Sequence, residues 1–212
     1  MIQDALDKYL QQLSALKSVA DESARRVVAD ADTLFKSNAN FFAKSYLITL
    51  CSILETYLKE EVAGLIGDAN GLLAQVKLAK NIVLWGVFSR DDDHYGKYED
   101  EAAAEFALQI DSSEVDDRLS GNVGRTIAAF RRCGLTLENC VDFNKRKAQI
   151  GAIVSKRNDA VHHSDDSSDF TFSDVIGWIA VVKEYILGIS QYVQGERAFH
   201  MSRLQLLQSH SN

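Results

Sequence analysis

Three residues in the stretch Ile150–His163, IGAIVSKRNDAVHH, have the chemistry to act on a phosphodiester: Arg157, Asn158 and His162. An arginine stays protonated and offers a planar fork of donors that matches phosphate oxygens. An imidazole, with an unperturbed pKa of about 6.5, takes or gives a proton near neutrality. An amide both donates and accepts, so it can orient either partner. On a helix Asn158 and His162, four apart, share a face with Arg157 beside them. The apolar stripe of that helix would be Ile150, Ile153, Val154, position 157, Ala160 and Val161. A guanidinium on a buried stripe must meet a carboxylate, backbone carbonyls or a phosphate. Two readings stay open on spacing alone. Either the three groups form a catalytic or phosphate-binding site, or Arg157 bonds a helix end or Glu55 while His162 caps its helix.

No metal site is expected from the same stretch. His162 and His163 with Asp165 and Asp166 offer ligand types, but neighbouring histidines on one helix point about 100° apart. His163 reads as a supporting or surface residue. Glu55, flanked by Cys51, Leu54 and Leu58, is expected to be half-buried, as partner of Arg157 or as a supporting catalytic group. The charged residues from Phe143 to His163 are Lys145, Arg146, Lys147, Lys156, Arg157 and Asp159, a net of +4. Phosphate affinity depends on the field at the cleft, so Lys145, Arg146 and Lys147 are candidate RNA-binding residues and Lys156 a supporting one. The alternative is that Lys145–Lys147 is a solvated helix start.

The elements that must position these groups are helices. The 212 residues contain no proline, the strongest interrupter of helices, and 46% of them are apolar. Steps of three and four from Leu6 to Leu34 predict one long amphipathic helix over Ile2 to about Phe35. A second helix begins near Asn40 and fades at Gly67-Asp68-Ala69-Asn70-Gly71. Leu72 to about Ser89 is expected as a third helix, although NIVLWGVF also suits a buried strand. Asn122 to Cys133 reads as a short helix closed by Gly134, and Val141 to Val161 as the helix carrying Arg157. Thr171-Phe172-Ser173-Asp174 is a capping-box pattern opening the last long helix. The fold class is therefore all-α: an antiparallel bundle with long N- and C-terminal helices, read as a single domain over 1–212.

Residues 89–117 interrupt the pattern with eleven acidic and two basic residues, a net of −9 against −7 for the whole chain. They read as a solvated acidic insertion. The overall acidity excludes a uniformly nucleic-acid-coating surface. Cys51, Cys133 and Cys140 form no C-x-x-C pair and read as reduced thiols. Neither a signal peptide nor an apolar run of membrane-spanning length is found, so a cytoplasmic protein with no membrane association is expected.

The segment Arg157-Asn158-Asp159-Ala160-Val161-His162 resembles the motif of the HEPN superfamily (higher eukaryote and prokaryote nucleotide-binding domains), an Arg, a polar residue, then a His near the end of a late helix. YLITLCSILETYLKEEV (46–62) resembles the early helix of the larger prokaryotic HEPN branches, SGNVGRTIAAFRRCGL (120–135) resembles the middle of the RiboL-PSP-type branch, and the likeness covers about residues 38–195. The resemblance implies a metal-independent endoribonuclease of toxin or phage-defence type, without cofactor. It also implies a homodimer whose composite site is lined by Arg157 and His162, with Asn158 in support. RNA is the implied substrate, its product ending in a 2′,3′-cyclic phosphate, and an antitoxin or defence protein is an implied partner. The alternative is a non-catalytic HEPN module that binds RNA, a nucleotide or a partner protein through the same cleft. Toxins silenced by nucleotidyltransferase antitoxins carry a Tyr two places after the His. Ser164 stands there in this chain.

Overall fold

The structure is a computed structural model that describes the backbone of residues 2–30, 32–73, 119–162 and 170–209, and the side chains of 6–30, 32–72, 119–161 and 170–198. Its elements are α1 (Ile2–Val28), α2 (Thr33–Ser37), α3 (Ala39–Leu73), α4 (Val123–Arg132), a 3₁₀ turn (Leu137–Asn139), α5 (Val141–His162) and α6 (Phe172–Ser209). The protein is all-α, as the periodicity predicts. By contacts the chain divides into a unit of Met1–Val62 with Val115–Asn212 and a unit of Ala63–Glu114, where the sequence reads as one continuous domain. Of the second unit, Ala63–Leu73 is described, the last turns of α3. The expected third helix beyond Leu73 and the acidic segment 89–117 lie outside the described residues.

Side-chain pairings set the directions of the four long helices in the first unit. Lys8 meets Glu60 at 2.7 Å and Ser23 meets Tyr46 at 2.9 Å, so α1 and α3 run antiparallel. Tyr46 packs on Phe172, and Tyr57 donates to the Ile186 carbonyl at 3.3 Å, so α3 and α6 run parallel. Phe143 packs on Tyr185 and Lys156 on Trp178, which makes α5 antiparallel to α6. One inward stripe from each helix fills the core. Leu6, Tyr9, Leu13, Leu16 and Ala20 come from α1, and Leu47, Leu50, Leu54 and Leu58 from α3. Val175, Ile179, Val182, Ile186 and Ile189 from α6 complete the same layer. Each spacing of three or four is the repeat that keeps one face of a helix inward.

Local chemistry fixes the ends. Asp32 accepts from the Leu34 and Phe35 amides, which starts α2 and separates it from α1. The single helix expected to about Phe35 therefore stops at Val28. The end of α4 is a Schellman motif: Gly134 has φ +80°, its amide reaches the Arg131 carbonyl and the Leu135 amide the Phe130 carbonyl, both at 3.0 Å. Leu135 and Phe130 are both buried beneath it. The capping box at α6 is present. The Thr171 amide and hydroxyl both donate to Asp174, at 2.7 and 2.8 Å, and the Asp174 amide donates back to the hydroxyl at 3.2 Å. Those bonds from Thr171 hold the Asp174 carboxyl below the usual carboxylate range, and Lys156 adds a smaller pull in the same direction.

The expected fading of α3 at Gly67–Gly71 does not occur, because the helix continues to Leu73. A glycine costs about 1 kcal/mol against alanine in a helix, and Gly67 and Gly71 keep negative φ. Two such penalties do not end a helix that is already propagating.

Candidate functional site

Arg157 lies on the α5 stripe where the sequence puts it, following the buried Ile150, Ile153 and Val154. Its side chain keeps 25% of its surface exposed, and that of its partner Glu55 on α3 keeps 23%. The Nη2 group donates to Glu55 Oε1 at 2.9 Å. The Nη1 group donates to Asn158 Oδ1 at 3.0 Å. Nε is buried and finds no acceptor among the described residues. A guanidinium gripped at both terminal nitrogens has a fixed plane, while each terminal nitrogen retains a second N–H to donate. The charge-assisted bond to Glu55 offsets the cost of placing a permanent cation beside the core. Among the partners expected for Arg157 from spacing, Glu55 is the one it meets.

Glu55 is held from a second side. The Gly121 amide, in the turn that leads into α4, donates to Glu55 Oε1 at 3.4 Å. Gly121 is closely packed rather than set by its backbone angle. A Cβ there would stand 3.2 Å from Val154 Cγ2, so Val154 would have to give by a few tenths of an ångström, and 3.4 Å from Glu55 Cγ. Reading the chain did not single out Gly121. The available signal was Ser120-Gly121, turn residues directly before Asn122, which caps α4 by accepting from the Arg125 amide. Cys51, one turn before Glu55, lies beneath the pair. Burial pushes its thiol up to about 12 against the opposing pull of Arg157, so it is protonated at neutral pH and is not a nucleophile.

The remaining expected residues distribute as follows. Asn158 is exposed beside Arg157. Lys156 is exposed, with its ammonium 5.9 Å from the Trp178 ring centroid. His162 is the last residue of α5, five positions beyond Arg157, and its side chain lies outside the described residues, as does all of His163. Lys145, Arg146 and Lys147 stand ten to twelve residues before Arg157, about 15–18 Å along the helix axis. Each already has a partner: Asp142 for Lys145 at 3.0 Å, Asn144 for Lys147 at 2.9 Å, and Glu184 of α6 for Arg146. Val161, expected on the buried stripe, is 51% exposed. It lies one residue before the end of α5.

Among the described residues, no three His, Cys, Asp or Glu side chains lie close enough to hold a metal ion. None of the described helices is long and apolar enough to cross a membrane. The site is thus a carboxylate, a guanidinium and an amide at the meeting of α3, α5 and the turn before α4, with a histidine ending the same helix.

The chain that carries this arrangement on its helical bundle matches the RiboL-PSP-HEPN family model over residues 4–194. The protein belongs to that family. HEPN domains are RNase-type or RNA-binding modules. No curated protein and no solved structure matches the chain significantly.

Proposed function

We propose that the protein is a metal-independent endoribonuclease of toxin or defence type, acting in the cytoplasm as a homodimer, with its site around Arg157, Asn158 and His162. The observation that carries this reading is the fixed guanidinium. Arg157 is oriented by Glu55 and Asn158 yet keeps a quarter of its side-chain surface open and, among the described residues, one N–H on each terminal nitrogen without an acceptor. In the reaction His162 takes the proton from the ribose 2′-OH as its oxygen attacks phosphorus. Arg157 donates to the non-bridging oxygens as negative charge accumulates on them. The 5′-oxygen leaves with a proton supplied by a second acid, the imidazolium of a partner subunit in a two-fold site. The products are a 2′,3′-cyclic phosphate and a 5′-hydroxyl end. Lys156 and His163 support the site. An antitoxin or defence protein is the proposed regulator.

A second reading is favoured by the same ion pair. Glu55 neutralises Arg157, as suits a non-catalytic module that binds RNA, a nucleotide or a partner protein. The test is incubation of the purified full chain with end-labelled RNA in EDTA, with His162→Ala alongside. The nuclease reading expects cyclic-phosphate ends from wild type and none from His162→Ala. Intact RNA in both, with binding retained, overturns it and leaves the binding module.

A further inference from the structure

The face of α3 that carries Glu55 continues away from the site as a strip of unlike character. Phe41, Lys44, Ile48 and Glu55 follow at steps of three, four and seven, which places them along one line of the helix surface. Lys44 is eleven residues and Phe41 fourteen residues before Glu55, about 16 and 21 Å along the axis at 1.5 Å per residue.

Phe41 is 67% exposed and Ile48 37%, unusual for an aromatic and a β-branched residue in a bundle with a well-filled core. The Phe41 ring is fixed from behind. Its neighbour Phe42 meets it edge-on at 5.7 Å and is itself stacked on Phe35 at 4.8 Å, with 22° between the planes. Arg26 lies over the far side of Phe35, 5.3 Å from its centroid. The outward ring is therefore backed by a ring cluster while two-thirds of its surface is open. Neither Lys36 nor Lys44 takes part in an ion pair among the described residues, in contrast to Arg25 and Arg26, which are bound to Glu22. Beside the strip, Ser45 and Thr49 donate to the carbonyls of Phe41 and Ser45, both at 2.9 Å, and so keep oxygen lone pairs turned outward as acceptors.

We propose that this strip is a track for single-stranded RNA leading to Arg157, with Phe41 stacking an unpaired base and Lys44 holding a backbone phosphate. Unstacked bases and flat aromatic rings pair without regard to base identity, and phosphates need unneutralised cations between the rings. The strip meets both conditions, with an ammonium that has no ion-pair partner among the described residues placed between two exposed apolar side chains. An apolar docking face for a protein would have no use for that cation at its centre. The track deepens the proposed function and rests on it for the direction of the strand, but binding along it does not require cleavage.

The experiment measures fluorescence anisotropy of labelled single-stranded and fully paired RNA oligonucleotides on the full-length His162→Ala protein. Phe41→Ala, Phe41→Trp and Lys44→Ala are added to that background, with circular dichroism and light scattering on each. Phe41→Ala is expected to weaken single-strand binding about tenfold, and Phe41→Trp to restore it. Lys44→Ala is expected to lower the slope of log affinity against log salt by about 0.7. Paired RNA should bind weakly and be indifferent to Phe41. Unchanged affinity in folded Phe41→Ala overturns the track and leaves the nuclease reading untouched, as does a change of subunit number in place of affinity, which would mark a protein contact. Binding that depends on Phe41 in a wild-type protein that cleaves nothing keeps the track and removes the nuclease.

Discussion

The two ends of α5 carry similar charge and are built to different purposes. In its first two turns Lys145, Arg146 and Lys147 are tied to Asp142, Glu184 and Asn144, surface partners of the same helix or of α6. At that end α5 is also pressed against α6. A Cβ on Gly188 would stand 2.5 Å from Asp142 Cβ, so only glycine admits the approach. In its last turns Lys156 stays exposed over Trp178, while Arg157 is three-quarters buried and answers to a carboxylate 102 positions away in the chain. A count of basic residues treats the two ends alike. Their partners separate them: one end fastens the helix and the other presents it.

The sharpest way to break this contrast is a matched pair of variants. Arg157→Ala is expected to reduce RNA cleavage roughly 10²-fold or more, as loss of a charge-stabilising donor does. Arg146→Ala should change cleavage by less than about threefold, since an exposed pair contributes about 1 kcal/mol or less. Equal losses in both would erase the distinction. Next in size is Glu55→Gln, which leaves Arg157 without its counter-charge in a partly enclosed place. Thermal unfolding should show a loss of roughly 2 kcal/mol, near 4–8 °C in Tm for a chain of this length. Gly188→Ala should lower stability by about 1–2 kcal/mol through overpacking against Asp142, with cleavage per folded molecule unchanged. Chemical denaturation read beside activity checks that separation.

The smallest effect concerns acid. The Asp174 carboxyl titrates below its unfolded value because Thr171 donates to it, so the native state binds fewer protons there. Its contribution is present above the unfolded value of about 3.9 and is lost as pH falls through the lower folded value. Asp174→Asn should flatten the acid limb of the stability curve by a few tenths of a kcal/mol, visible in urea midpoints taken between pH 5 and 2.

How far the chain could be read in advance follows from which forces act locally. The stripes of α1, α3 and α6 were legible because burial repeats every three or four residues, and the boxes at Thr171 and Gly134 because capping needs particular residue types. Arg157 beside Glu55 was legible for a related reason: a charge set on an apolar stripe has few partners. The break between α1 and α2 was missed because the apolar spacing runs on through Leu34, while the cap that ends it rests on one residue, Asp32. Val161 was misplaced because periodicity gives a direction along a helix but not what stands opposite its last turn. Gly121 went unnoticed because its requirement is a close approach between chain segments distant in sequence. The exposed ring of Phe41 was hidden for the opposite reason, since an aromatic in an apolar helix reads as core.

On the proposed reading the carboxylate of Glu55 stays beside Arg157 when a phosphate arrives, and its charge opposes a second anion there. A small free ion would then gain little from the guanidinium alone. A polymer lying along the helix brings further contacts of its own, so discrimination against stray ions would follow from a side chain rather than from the shape of a cavity.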